Sequence, residues 1–287
     1  MWHKFYEVYV LREGKDAGYD VFQHLFHFIS DDYQIYLLTV ALIFFTAFGR
    51  LLHRFTDNIN EVFLAVCTYL LMFYNFFSIT GIRQTIAVAL SIHCFFAMLD
   101  KKYWLFVLLG IPAFFIHKSA MMIPLIPVFY WFKWRKQLNI GVFVLFIIAL
   151  INRDFIIHYT REISDYDTGF VAPSLPYNLM AFFFVFTFFI VRSVRLFPKD
   201  HIVQNLYNIY IPTFSMIPLL SWDSLFMREV FFFSIYSCLL IPKGLRFSFR
   251  LSSPVVIGYV ILCIFQQSYK NDYAFFWEEM ALGANYQ

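Results

Sequence analysis

The sequence predicts an all-α polytopic membrane protein, with about 9–10 transmembrane or re-entrant helices behind an N-terminal amphipathic helix lying in the interface. Three observations lead there. The chain of 287 residues is 61% hydrophobic and only 14% charged, whereas a soluble domain carries about 25% charged residues. Its apolar runs are too long and too many for a soluble core. Its basic residues come as short clusters between those runs, the pattern of cytoplasmic anchors. That distribution excludes a nucleic-acid-binding face, despite a net charge of +3.

Residues 1–34 are polar and mixed, with no cleavable signal peptide, and read as an outer-face segment. Within them the stretch from Tyr19 to Ile29 places Val21, Phe22, Leu25, Phe26, Phe28 and Ile29 largely on one helical face, which suits an interfacial helix. Candidate spans follow at 35–52, 60–78, 82–99, 103–116, 119–132, 138–157, 177–194, 203–221, 227–242 and 254–269. A span needs roughly 20 apolar residues. The pieces 103–116 and 119–132 are shorter and carry Pro112, Pro124 and Pro127, so they read as two tilted helices or a re-entrant pair. Residues 270–287 form an outer-face tail, and no internal repeat or inserted soluble domain interrupts the chain, so 1–287 reads as one membrane domain.

Charge sets the expected topology. Basic clusters fall at Arg50/Arg54, Lys101/Lys102, Lys133/Arg135/Lys136, Arg192/Arg195/Lys199 and Lys243/Arg246/Arg250, with two apolar spans between each consecutive pair. Positive residues prefer the cytoplasm, so all five loops go inside. The turns at 79–82, 117–118, 152–176 and 222–226 then share the outer face with both termini, and His117 lies at or below the outer surface. Acidic residues gather on that same side; only Asp57, Glu61, Asp100 and Asp200 fall inside. The four cysteines, Cys67, Cys94, Cys238 and Cys263, lie within apolar spans and read as inert buried thiols.

Arg83 and Gln84 sit in the first turn of the 82–99 helix, beside Gly81. A cation at a helix N-terminus opposes the macrodipole, so its placement needs a reason. One reason is a phosphate held by free N–H groups and a guanidinium fork. The other is an arginine snorkelling to headgroups. His117 and Lys118 lie between two apolar halves, where they read as a proton carrier or phosphate ligand, or as a turn facing water. Arg228 repeats the Arg83 arrangement after Trp222-Asp223-Ser224, and two such sites can hold a diphosphate; Asp223 or Glu229 reads equally as a plain ion-pair partner. Asp16, ahead of Gly18-Tyr19, is a carboxylate placed to act as base on a hydroxyl. Asp154, Glu162, Asp165 and Asp167 read mostly as solvated loop charges, and the pair Asp31-Asp32 is too common to carry weight. His24 and His27 are spaced i, i+3 without a third ligand, so no metal site is expected. Walker, GxGxxG, HExxH and GxSxG motifs are absent, which leaves nucleotide-driven transport and hydrolase chemistry without support.

The stretches Gly81-Ile82-Arg83-Gln84-Thr85-Ile86-Ala87 and Phe115-Ile116-His117-Lys118-Ser119-Ala120 resemble the EpsG family, the Wzy-like polymerases of bacterial exopolysaccharide, capsule and O-antigen. Asp16-Ala17-Gly18-Tyr19 is similar to that family's acid-Pro-Gly-Tyr segment, and Met227-Arg228-Glu229, with Tyr236 and Ile241-Pro242 downstream, to its late arginine helix. The family's Gly-Thr-Asp segment is missing, so a short or truncated variant with weakened activity is expected. The resemblance implies a multi-pass glycosyltransferase of the bacterial inner membrane. It would join oligosaccharide repeat units carried on undecaprenyl diphosphate at the outer face, without metal or nucleotide cofactor. Arg83, Gln84, Lys118 and Arg228 would hold the diphosphate, and Asp16, His117 and Arg83 would serve catalysis. The implied partners are the lipid-linked oligosaccharide, the bilayer, and the chain-length regulator and flippase of the same pathway. Two alternatives stay open. One is another lipid-linked glycosyl or acyl transferase. The other is a lipid-linked-sugar flippase, which would need polar residues lining a path through both leaflets.

Overall fold

The computed structural model describes residues 17–74, 77–78, 81–133, 135–164, 201–220, 226–248 and 253–268. In order these form α1 (Ala17–His27), α2 (Tyr33–Phe55), α3 (Ile59–Met72), α4 (Ile82–Leu99), α5 (Tyr103–Ile116), a 3-10 turn (Lys118–Met122), α6 (Leu125–Tyr130), α7 (Arg135–Ile151), α8 (Arg153–Ser164), α9 (His201–Tyr210), α10 (Pro212–Leu220), α11 (Met227–Ser234), α12 (Ser237–Ser248) and α13 (Pro254–Ser268). No strand occurs among the described residues. The molecule is an all-α polytopic membrane protein, as its composition requires.

Local chemistry sets the helix starts. The Asp32 side chain accepts a hydrogen bond from the Gln34 N–H at 2.8 Å, capping α2. Asn58 accepts from the Glu61 N–H at 3.0 Å, and the Glu61 carboxylate accepts from the Asp57 N–H at 2.9 Å, a reciprocal pair that opens α3.

Among the described residues two helices are long and apolar enough to cross a membrane, α2 with 23 residues and α4 with 18. A third span results if α7 and α8, bent by 80° where they meet, are one broken crossing. The other apolar runs are cut into shorter pieces. Within the expected span 60–78 the first helix ends at Met72 with a turn at Phe73, and beyond it Tyr74 and residues 77–78 are again helical, the Phe77 N–H bonding the Phe73 carbonyl at 2.8 Å, while 119–132 becomes the 3-10 turn and α6. The run 203–221 breaks at Ile211, because Pro212 lacks an N–H and disfavours helical backbone in the residue before it. The run 227–242 breaks at Ile235 and Tyr236, where bonds from the Cys238 N–H to the Ile235 carbonyl (3.1 Å) and from the Leu239 N–H to the Tyr236 carbonyl (3.0 Å) replace the helical ladder. The span 177–194 lies outside the described residues.

Helix α4 is the central element: 72% of it is buried, against 39% of the most apolar 18 residues of α2. Its Ala87, Ala89 and Ser91 are buried small residues that let α2, α5 and α11 approach closely. Aromatic rings fill the remaining space, with Phe95 edge-on to Tyr236 and Phe77 tilted against Phe231, each pair 5.0 Å apart. In contrast α5 buries only Ala113 and Ile116 and turns Trp104, Val107, Leu108, Ile111 and Phe114 outward, an apolar face suited to lipid.

Helices α2 and α4 run in the same direction. At their C-terminal ends Arg54 meets Asp100 at 3.0 Å. Lys243 of α12 joins this end through Asp57 at 3.2 Å and Glu61 at 3.4 Å. Three of the five basic clusters, those at Arg50/Arg54, Lys101/Lys102 and Lys243, therefore share one end of the bundle, and the Arg192 cluster lies outside the described residues. Helix α5 then carries the chain back to the opposite end at His117.

One detail of α1 differs from its sequence pattern. Tyr19, Gln23 and Phe26 are buried and pack with Phe22 against the bundle, whereas Val21, Leu25, Phe28 and Ile29 are exposed. The six apolar residues thus divide between two directions, because a lipid-facing surface accepts apolar side chains as readily as a protein core does.

Candidate functional site

The first turn of α4 organises this end of the bundle. Thr85 anchors it by donating its hydroxyl to the carbonyls of Phe77 and Gly81, each at 2.9 Å. Successive helical residues point about 100° apart, so Arg83 and Gln84 address different neighbours. Arg83 turns toward α1, where its guanidinium lies 5.1 Å from the centre of the Tyr19 ring. Tyr19 is buried and accepts a hydrogen bond from the Gln23 amide at 3.0 Å. Burial pushes its phenol above the ordinary range, while Tyr36 and the Arg83 charge pull it back. The ring under Arg83 is therefore a neutral phenol at physiological pH.

Gln84 turns the other way and donates its side-chain N–H to the backbone carbonyl of Arg228 at the start of α11. Gln84 is 2% exposed, and its Oε1 is buried without a hydrogen-bond partner among the described residues.

His117 ends α5. Its N–H donates to the Ala113 carbonyl at 2.9 Å and its own carbonyl accepts from the Ala120 N–H at 2.8 Å, so the residue is both the cap of α5 and the entry to the 3-10 turn. Its side chain is buried, whereas Lys118 beside it is exposed. Ser119 donates its hydroxyl to Glu229 Oε1 at 3.0 Å, tying the turn to α11. The other carboxylate oxygen, Oε2, is buried with no hydrogen-bond partner among the described residues.

Gly18 closes the arrangement. A Cβ at this position would stand 2.7 Å from both the carbonyl carbon and the Cβ of Phe115, and 2.9 Å from the Ile116 nitrogen. Only glycine allows α1 to lie this close to the end of α5.

The sequence-predicted residues Arg83, Gln84, His117 and Arg228 thus converge at one end of the bundle, with Lys118 on the exposed side of the same turn. Asp16 and Asp223 lie outside the described residues. Three residues take part that sequence reasoning did not put in the site: Tyr19, Ser119 and Glu229. Ser119 and Glu229 stood inside the quoted motifs, but only tertiary structure pairs positions 110 residues apart. Arg83, Lys118 and Arg228 bring three cationic side chains to this end of the bundle, beside the described carboxylates Asp20 and Glu229, and guanidinium and ammonium groups are the side chains suited to a phosphate. Among the described residues no group of three or more His, Cys, Asp or Glu is placed to hold a metal ion.

A family model, that of the EpsG family, matches residues 2–277, nearly the whole chain. Comparisons with curated proteins and with solved structures give no match.

Proposed function

The chain belongs to the EpsG family of membrane proteins of polysaccharide biosynthesis, and from that membership we propose that it polymerises oligosaccharide repeat units carried on undecaprenyl diphosphate, at the outer face of the bacterial cell membrane. A hydroxyl of the acceptor unit attacks the anomeric carbon of the growing chain. The bond from that carbon to the diphosphate oxygen breaks, and the lipid diphosphate leaves with the electron pair. The hydroxyl proton passes to a carboxylate.

A diphosphate leaving group needs cations rather than an acid. Arg83 and Arg228 fill that role, with Lys118 at the rim. Gln84 supports it by fixing the backbone of Arg228, and buried His117 stands in the turn that also presents Ser119. Two carboxylates are candidates for the base. Asp16 precedes Gly18 by two positions. Glu229 holds one oxygen against Ser119 and leaves the other buried and available to accept a proton. The observation that carries this reading is the convergence of the Arg83–Gln84 helix start, the His117–Ser119 turn and the Arg228–Glu229 helix start at the end of the bundle opposite three of the basic clusters. It supports a reaction confined to one face rather than a path through the membrane.

The test is a glycan length profile in the native host after deletion of the gene and complementation with wild type or Arg83→Ala. Long chains should vanish on deletion while single repeat units still reach the surface, and only wild type should restore the ladder. Loss of the single units as well, or their accumulation on the cytoplasmic face, would assign the protein to an earlier transfer or flipping step.

A further inference from the structure

At the end of the bundle opposite the proposed polymerase site, α2, α4 and α5 border a half-open cleft of about 300 Å³. It is lined by Arg50, His93, Phe96, Asp100, Lys102 and, further along α5, by Leu105 and Leu109. The charged lining is not self-neutralising. Asp100 is held by Arg54 at 3.0 Å, which leaves Arg50 and Lys102 as an excess of positive charge at the mouth. Arg50 is held in place, its guanidinium 4.6 Å from the centre of the Phe96 ring, so little side-chain freedom remains to be lost when an anion binds. His93 adds a half-buried imidazole on the α4 wall. On the α5 side the lining is apolar. Leu105 and Leu109 are one helical turn apart and continue into the exposed apolar face of α5 that bears Leu108 and Ile111.

We propose that this cleft binds the phosphate of an anionic phospholipid headgroup, with Arg50 and Lys102 on the phosphate, His93 donating to it, and an acyl chain lying along Leu105 and Leu109. A free phosphate ion shares the headgroup chemistry but has no use for the apolar half of the lining, and basic pockets between membrane helices are suited to anionic headgroups. The bound lipid would clamp the α4–α5 connection, and α4 is the helix whose other end carries Arg83 and Gln84.

The experiment uses the full chain purified into phosphatidylcholine nanodiscs with and without phosphatidylglycerol, with native mass spectrometry reading the retained lipid. Wild type should keep phosphatidylglycerol. Arg50→Gln combined with Lys102→Gln should lose it by about tenfold or more, since each cation near a headgroup contributes a substantial part of the affinity. Lys133→Gln combined with Lys136→Gln removes the same charge elsewhere and should retain it. Equal loss in both double variants would overturn the proposal in favour of diffuse attraction. Displacement of the lipid by inorganic phosphate alone would overturn the lipid assignment. Leu109→Trp, which fills the apolar half without touching a charge, provides a second test should the charge variant fail to fold: it too should expel the lipid, and retention would count against the site.

Discussion

Gln84 and Arg228, 144 positions apart, are joined by a hydrogen bond from the glutamine side-chain N–H to the arginine backbone carbonyl. The bond locks the start of α11 onto the start of α4. It also couples the two arginines proposed to hold the diphosphate, because Arg83 is Gln84's neighbour on one helix and Arg228 supplies the acceptor on the other. The second such tie, Ser119 to Glu229, attaches the end of the α5 hairpin to the same turn of α11. Removing either tie should loosen the site without dissolving the bundle.

Gln84→Leu removes the donor and should lower stability by about 1–3 kcal/mol, the range for a lost buried hydrogen bond. Gln84→Glu sets a carboxylate against the Arg228 carbonyl and should cost more. Both variants should shorten the glycan ladder, the glutamate more severely. Thermal unfolding of the purified variants and ladder length measured side by side check the order; a fully active Gln84→Glu protein would show that the tie has no functional role.

Arg83 stacks on a ring that stays neutral, so its two roles can be separated. Tyr19→Phe keeps the aromatic face and should leave polymerisation near wild type. Tyr19→Ala removes it and should reduce chain length, with a loss of about 0.5–2 kcal/mol of cation–π stabilisation. Arg83→Lys keeps the charge but not the bidentate fork, so long chains should disappear at normal membrane levels of the protein. Full polymerisation by Arg83→Lys would mean that Arg83 serves only headgroup contact.

Glu229→Gln leaves the Ser119 contact possible but removes the proton acceptor. If Glu229 is the base, polymerisation in reconstituted membranes should fall by about 10²–10⁴-fold, whereas Ser119→Ala, which frees the carboxylate without neutralising it, should fall much less. A mild loss in Glu229→Gln would return the role to Asp16.

The boundaries of α4 and α5, at Ile82–Leu99 and Tyr103–Ile116, were readable because Gly81, the Asp100-Lys101-Lys102 turn and His117 interrupt otherwise apolar runs. The break at Ile235–Tyr236 was not, since apolar residues lie on both sides and nothing in composition marks where a backbone ladder shifts. The polar residues of the site were individually visible, because charge near lipid is costly and therefore conspicuous. Their pairing was not: that Gln84 meets Arg228, or Ser119 meets Glu229, depends on how α11 docks on α4. The burial of Tyr19 and Gln23 rather than Val21 and Leu25 on α1 was hidden for a different reason, since lipid and core accept the same apolar side chains.

Lys101 adopts a positive φ of 58° just past α4. The Lys102 N–H bonds the Ala97 carbonyl at 2.8 Å and the Lys101 N–H bonds the Met98 carbonyl at 3.1 Å, a helix-ending motif that ordinarily carries glycine. Lys101→Gly should therefore raise stability by about 0.5–1 kcal/mol. Because this turn lies at the far end of α4 from Arg83, the glycan ladder should be unchanged, and a higher unfolding temperature with a wild-type ladder is the expected joint result.

Gly18→Ala tests whether the docking of α1 matters to the site. The added methyl would meet the backbone of Phe115 at 2.7 Å, and the obstacle is main chain at the end of a helix, so it cannot swing aside as a side chain would. Either α1 lifts away or the end of α5 shifts, at a cost of about 1–3 kcal/mol. Both movements should disturb the proposed site: lifting α1 carries Tyr19 off Arg83, and shifting Ile116 displaces the adjoining His117. Chain length should drop while the protein still reaches the membrane, and the melting transition should move down. Since α1 is a peripheral helix and the core cluster around Phe44, Phe95 and Tyr236 does not include it, the bundle itself should stay folded. A Gly18→Ala protein with a normal ladder would mean that α1 can leave α5 without consequence, and the role given to Tyr19 beneath Arg83 would fall with it.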